Sequence, residues 1–150
     1  MGVKVESVSI SDLDELYEIE KQCFGHKAFS KRELAYLLAD YHAIGLAAKI
    51  DGEIVGFGTA RVDIRRNAPF GHILTVDVTP ACRRRGIAQT LLHEIEAILR
   101  EKGVKECRLE VREDNSAALS LYQKLGYKEI GTLERYYGDA DGLYLKKILQ

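Results

Sequence analysis

The stretch Val76–Leu92, "VDVTPACRRRGIAQTLL", joins a β-branched run to an amphipathic one through three arginines and a glycine. Upstream, "FGHILTVDV" (Phe70–Val78) is rich in strand formers and stops just before Pro80. Downstream, Ile87, Ala88, Leu91, Leu92, Ile95, Ile98 and Leu99 recur at helical spacing, which predicts a helix over Arg83–Lys102 that Gly103 ends. A helix start carries unpaired N–H groups and the positive end of the dipole. Arg83, Arg84 and Arg85 add charge of the same sign, so the turn is expected to face an anion. Gly86 removes the side chain where a phosphate would approach the backbone, Ala88 leaves room on the next inward face, and Thr90 offers a hydroxyl. "RRRGIA" matches neither the P-loop nor the dinucleotide glycine pattern, and taken alone these six residues fit a solvated basic turn equally well.

Working outward, "SDLDELYEIEKQCF" predicts a helix, with Ser11 and Asp14 in capping spacing and Leu13, Leu16, Ile19 and Cys23 on one face. "SKRELAYLLADY" repeats the device with Ser30 and Glu33, then Leu34, Leu37, Leu38 and Tyr41. Two strand-like runs flank Asp51-Gly52, a hairpin signal, and "RRNAP" reads as a loop. "KECRLEVR" is a strand, "NSAALSLYQKLG" a short helix ended by Gly126, and "YKEIGTLERYY" and "GLYLKKIL" two strands around "GDADG". The predicted order is ααβββαβαββ. Strand, crossover helix and strand over residues 70–112 imply one parallel pair among antiparallel neighbours. The expectation is a single α/β domain spanning 1–150, with a mixed twisted sheet of about six to seven strands and helices on both faces.

The 150 residues suffice for a core without disulfides or metals, and the formal net charge of −1 argues against a nucleic-acid partner. No apolar run approaches a membrane span, and "MGVKVESVSI" has no signal-peptide pattern. Cys23, Cys82 and Cys107 are widely spaced and odd in number, which points to reduced thiols in a cytoplasmic protein and to no metal site. A monomer and a homodimer are equally compatible with the chain.

Two long patterns bear on function. "VDVTPACRRRGIAQTLL" resembles the acetyl-coenzyme A signature [QR]-x-x-G-x-[GA] of the GNAT superfamily of N-acetyltransferases. "LEVREDNSAALSLYQKLGYKEIG" (Leu109–Gly131) resembles that superfamily's second signature, and "RYYGDADGLYLKK" (Arg135–Lys147) the C-terminal hairpin of its protein N-terminal acetyltransferases, of the ribosomal-protein alanine and archaeal N-alpha types. The resemblance is strong over 70–150 and extends to 1–69 by layout. It implies a GNAT-like fold with a splayed central parallel pair and acetyl-CoA as the acetyl donor. The diphosphate would rest on amides from Arg84 through Gly86 and Ile87 to Ala88, beside Arg83 and Arg85. The pantetheine arm would pair with the strand edge at Val76, Asp77 and Val78, and Asn115, Ala118 and Tyr122 would form a second wall. Asp77 departs from the family, which usually has a small apolar residue there.

Acetyl transfer to an amine needs a neutral amine, a polarised thioester and a proton for the leaving thiolate. A protein α-amine, with a reference pKa near ~8, is neutralised more easily than a lysine near ~10.4. The resemblance implies Glu110 and His72 as candidate bases and Tyr122 as the acid. It also implies Tyr136 and Tyr137 as a wall of the peptide groove, and Phe24, His26 and Phe29 as a substrate-contacting loop. On residue type alone, Glu110 fits the polar face of a strand, His72 a surface position, and Tyr122 a core aromatic. The expected acceptor is a protein or peptide N-terminus. A small-molecule amine or a lysine side chain is the alternative within the enzyme class, and a non-catalytic CoA-binding module the alternative outside it.

Overall fold

The structure is a computed structural model and describes residues 2–150. Seven strands form one sheet in the order β1-β2-β3-β4-β5-β7-β6. The strands are β1 (Lys4–Ser7), β2 (Ala43–Ile50), β3 (Glu53–Arg65), β4 (Ala68–Val78), β5 (Glu106–Arg112), β6 (Lys128–Leu133) and β7 (Gly142–Ile148). The helices are α1 (Leu13–Phe24), α2 (Lys31–Ala39), α3 (Ile87–Glu101) and α4 (Ser116–Lys124). Every neighbouring pair is antiparallel except β4 and β5, which α3 connects by a crossover. Among the described residues no helix is long and apolar enough to cross a membrane.

The sheet divides two apolar layers. On one face α3 buries Ile87, Leu91, Leu92, Ile95 and Leu99 against Ile73, Cys107, Leu109 and Val111. On the other, Leu16 and Ile19 of α1 and Leu34 of α2 close over Phe57. Gly58 and Gly71 let α3 lie close: an added Cβ would come within 2.9 Å of Ile95 and 2.5 Å of Leu99, respectively. α2 starts on the reciprocal Ser30–Glu33 capping box, both bonds at 3.0 Å.

Several boundaries differ from the expectation. The N-terminal cap is set two residues early, where Asp12 accepts the Ser9 N–H at 2.9 Å, and α1 begins at Leu13. Tyr41 is not on the buried face; it lies beyond α2 and is 94% exposed. The "RRNAP" segment is not a loop. β3 and β4 run through it to a two-residue turn at Arg66-Asn67, both with left-handed φ, and Pro69 pairs with Ile64. The edge strand β1 was not anticipated. α3 starts at Ile87, four residues later than expected, because Gly86 is its left-handed N-cap. β6 stops at Leu133, which leaves Tyr136 and Tyr137 in the turn before β7 and not in a strand.

Candidate active site

The site lies where β4 and β5 part. Their parallel register holds for two pairs only, Gly71 with Cys107 and His72 with Arg108. A bulge in β4 comes just beyond: Thr59 faces Thr75 and Ala60 faces Ile73, so Leu74 is the extra residue. A bulge bends its strand and breaks pairing locally. From Leu74 to Val78 the β5-facing edge of β4 therefore has no strand partner, while β3 continues to pair on its other side through Gly56–Thr59. The central parallel pair is splayed, as the fold expectation required.

At the end of that edge, β4 leads through a short turn into α3. Arg84 (φ 65°) and Gly86 (φ 78°) both adopt left-handed backbone conformations. The first helical bond runs from the Thr90 N–H to the Gly86 carbonyl, so the amides of Ile87, Ala88 and Gln89 have no intrahelical acceptor. Nothing lies within 4 Å of a Cβ built on Gly86, so the turn is open on that side. Unpaired amides beside left-handed turns make anion-binding concavities. The three arginines divide: Arg83 turns back to the Val78 carbonyl at 3.2 Å and toward the Cys23 sulfur, while Arg84 and Arg85 stay exposed. The Thr90 hydroxyl donates to the Gly86 carbonyl at 3.0 Å, so it reinforces the turn. Asn115 caps α4, its Oδ1 accepting the Ala118 N–H at 3.1 Å. A row of free amides suits a diphosphate, and an unpaired strand edge suits an arm of amides.

The polar face of the sheet brings His72 and Glu110 together. His72 Nε2 lies 2.8 Å from Glu110 Oε1, and His72 Nδ1 lies 2.9 Å from Asp63 Oδ2. Arg61 Nε donates to the other Asp63 oxygen at 2.9 Å. Burial by itself pulls the His72 pKa down, but the bonds and charges of Glu110 and then Asp63 outweigh it and the net direction is up. Tyr122, partly buried on α4, packs edge-on against Tyr127 at 5.7 Å. Burial first, then the charges of Asp77 and Tyr137, push its phenol well above the ordinary range, so it holds its proton firmly. Tyr136 and Tyr137 stack edge-on at 4.9 Å. Burial, then Tyr136 and Glu110, push Tyr137 up to about 12.

The loop after α1 faces the same region. Phe24 and His26 are exposed, and Phe29 packs partly into the α1–α2 core. Lys27 reaches across to Asp139 at 2.6 Å, and Arg112 holds Asp139 and Asp114 together with bonds of 2.9–3.3 Å. Those ties hold the Asp139 carboxyl well below its usual range, Arg112 contributing before Lys27. The side chain of Asp77 turns away from the free edge toward α1: it is 1% exposed and meets the buried Glu20, whose Oε2 accepts the Phe29 N–H at 2.8 Å. Asp63, Lys27, Asp139 and Glu20 were not anticipated as participants. Each is an ordinary charged residue in sequence and acquires a partner only through folding.

The sequence matches the Acetyltransferase (GNAT) family over residues 13–127, and the chain belongs to that family. It is an acetyl-CoA-dependent N-acetyltransferase. Among curated relatives, it is 34% identical to the N-alpha-acetyltransferase RimI of Mycobacterium tuberculosis, over 90% of this chain and 84% of that protein. It is 29% identical to the N-alpha-acetyltransferase of Sulfurisphaera tokodaii, over 95% of this chain and 90% of the relative. Among solved structures, the PaiA N-acetyltransferase of Thermoplasma acidophilum in complex with coenzyme A superposes with a TM-score of 0.82, at 25% identity, covering 99% of both chains.

Proposed function

We propose that this protein acetylates the α-amine at the N-terminus of proteins or peptides, with Glu110 and His72 as the base and Tyr122 as the acid. The carrying observation is the 2.8 Å contact between His72 and Glu110 at the mouth of the split between β4 and β5. Acetyl-CoA, when bound, supplies an activated acyl carbon. The amides from Arg84 to Ala88 would hold its diphosphate, with Arg83 bracing the turn from behind and Arg84 and Arg85 facing the nucleotide. The free edge at Val76, Asp77 and Val78 would take the amide arm through backbone groups, and Ala118 and Asn115 would border it.

An acceptor ammonium arriving in the groove meets Glu110 first. The carboxylate takes the amine proton directly or through one water, and its 2.8 Å bond lets His72 share that proton. Burial keeps the Tyr122 phenol protonated, so its proton is in place for the leaving sulfur as the carbon–sulfur bond breaks. The Lys27–Asp139 bond ties the loop that carries Phe24, His26 and Phe29 to the turn that carries Tyr136 and Tyr137, and the acceptor would enter between them. A chain end enters there more readily than a mid-chain lysine. The N-alpha-acetyltransferase names of the relatives support the same acceptor class.

The test is mass spectrometry of a peptide library incubated with the protein and acetyl-CoA, using peptides with free α-amines, blocked α-amines and lysine as the only amine. Acetylation of free α-amines alone is expected. Preferential modification of the lysine-only or blocked peptides would overturn the assignment.

A further inference from the structure

The His72–Glu110 pair has a third member, Asp63. His72 is one of only two β4 residues in register with β5, and its registered partner is Arg108. The ring does not stay with that partner; it reaches diagonally to Glu110, across the point where the ladder ends. Its other nitrogen bonds Asp63, which lies on β3 two residues beyond the registered partner Arg61. Both oxygens of Asp63 are engaged, one by the ring and one by Arg61, so the carboxylate cannot rotate away. The three side chains form one line across three strands, and exposure rises along it: 17% at Glu110 and His72, 28% at Asp63.

We propose that Asp63 is a positioning residue for acetyl transfer: through Nδ1 of His72 it aims the Nε2 lone pair at Glu110 and stabilises the imidazolium that forms when the acceptor's proton moves on. The inference rests on the assignment of Glu110 and His72 as the base. Asp63 and Glu110 both only accept when ionised; Asp63, fixed by Arg61, holds the proton of the neutral ring on Nδ1, and the 2.8 Å approach of Nε2 to Glu110 becomes a hydrogen bond once the acceptor's proton arrives. The acceptor's N–H bond breaks, its electron pair stays on nitrogen, and an O–H bond forms on Glu110. That O–H then breaks as Nε2–H forms, which returns Glu110 to a carboxylate and leaves the positive charge on His72. The cation lies between two carboxylates, and it loses its proton to water before the next turnover.

The charges around the ring favour this. From β3 it faces Asp63, backed by Arg61. From β4 it faces the ring of Phe70 at 6.2 Å. From β5 it faces Glu110 and Arg108, and the Arg108 guanidinium is already tied to Glu106 at 2.7 Å and rests over Phe70 at 4.8 Å. Beyond Glu110, from β7 and the turn before it, stand Tyr144, Tyr136 and Tyr137, all phenols. Arg61 and Arg108 are the cations registered against His72, and each carries its own counter-charge, Asp63 for the first and Glu106 for the second.

The experiment compares wild type with Asp63→Asn, Asp63→Glu, His72→Gln and the Asp63→Asn/His72→Gln double variant. The first readout is an NMR titration of the His72 Cε1–H in the protein without substrate, with His72→Gln identifying the resonance among the four histidines. The second is the pH profile of kcat/KM with a peptide acceptor. In Asp63→Asn the His72 pKa should fall by about one unit and the acid limb should move down in pH with it. The plateau should fall roughly tenfold, because Arg61 holds the amide oxygen and turns the amide NH2 toward Nδ1, which favours the wrong tautomer. Asp63→Glu should recover most of both effects, and the double variant should be no slower than His72→Gln alone. The proposal is overturned if the pKa and the limb stay put, or if Asp63→Asn slows the His72→Gln protein as much as it slows wild type. If the NMR shift appears but wild type turns over no amine, the base assignment and the catalytic role of Asp63 fall together, and the contact with His72 alone stands.

Discussion

Replacing Asp77 with asparagine should make the protein more stable, by an amount that grows as pH rises. Asp77 and Glu20 bring two carboxyl groups together at 1% and 2% exposure. Glu20 Oε1 and both Asp77 oxygens have no donor from any other described residue. Two buried like charges cannot both persist, so Asp77 keeps its proton and shares it with Glu20. Burial first, then the bond to Glu20 and its charge, raise the Asp77 pKa, and Arg83 offsets this only in part. In the unfolded chain the same carboxyl ionises near ~3.9. Between that value and the raised one, the folded state binds one more proton than the unfolded state. Stability therefore falls as pH rises through this window, by at most about 1.4 kcal/mol per pH unit, and is unaffected below it. Asparagine has no proton to lose and still offers Glu20 an N–H. Relative to wild type, Asp77→Asn should change little near about pH 4 and gain about 2 kcal/mol by about pH 6. For a chain of this size that is roughly 4–8 °C in Tm. Urea melts of both proteins at about pH 4.5, 5.5 and 6.5 measure it. Parallel stability curves, or a growing loss for the variant, would refute the shared proton.

Three other outcomes follow from the geometry. Tyr122→Phe should lower kcat by about 10²-fold while the KM for acetyl-CoA changes little, because the proton is lost and the packing against Tyr127 is kept; steady-state kinetics with a thiol-reactive dye would read both. Gly86→Ala places a methyl group in open space but forces a left-handed backbone on a non-glycine residue, which costs about 1–2 kcal/mol; the KM for acetyl-CoA should rise about tenfold, and calorimetry with CoA would show the same loss. Lys27→Ala removes the tie to Asp139 across the groove, so the peptide KM should rise about two- to threefold with the acetyl-CoA KM unmoved, and about 0.5 M salt should reproduce the effect in wild type.

The parts of the fold that were legible in sequence are those fixed by neighbours close along the chain. The Ser30–Glu33 box, the Asp51-Gly52 hairpin and the apolar stripe of α3 each need only a few residues to declare themselves, and each stands as expected. The parts that were not legible depend on residues whose local signal points elsewhere. Arg66-Asn67 makes a tight turn although arginine seldom adopts a left-handed φ, and Pro69 normally argues against a paired strand. β1 has four residues and gains its pairing from β2, so no periodicity announced it. Tyr136 and Tyr137 read as strand aromatics because alternation cannot show where β6 stops.

The same divide runs through the site. Arg83, Arg84, Arg85 and Gly86 were conspicuous because a strand-to-helix turn concentrates its chemistry within a few residues. The His72–Glu110 pair spans 38 positions and could be named only as two separate candidates. Periodicity assigns a residue to a face of the sheet; it does not choose its partner on that face. Partner choice here follows from the two-pair register of β4 and β5 and the bulge at Leu74, which end the backbone ladder just where the side chains of His72 and Glu110 meet. A variant that extended that ladder, for instance by removing Leu74 to erase the bulge, should close the split. It would then lose coenzyme A binding and the His72–Glu110 contact together, although every residue named in the site would still be present.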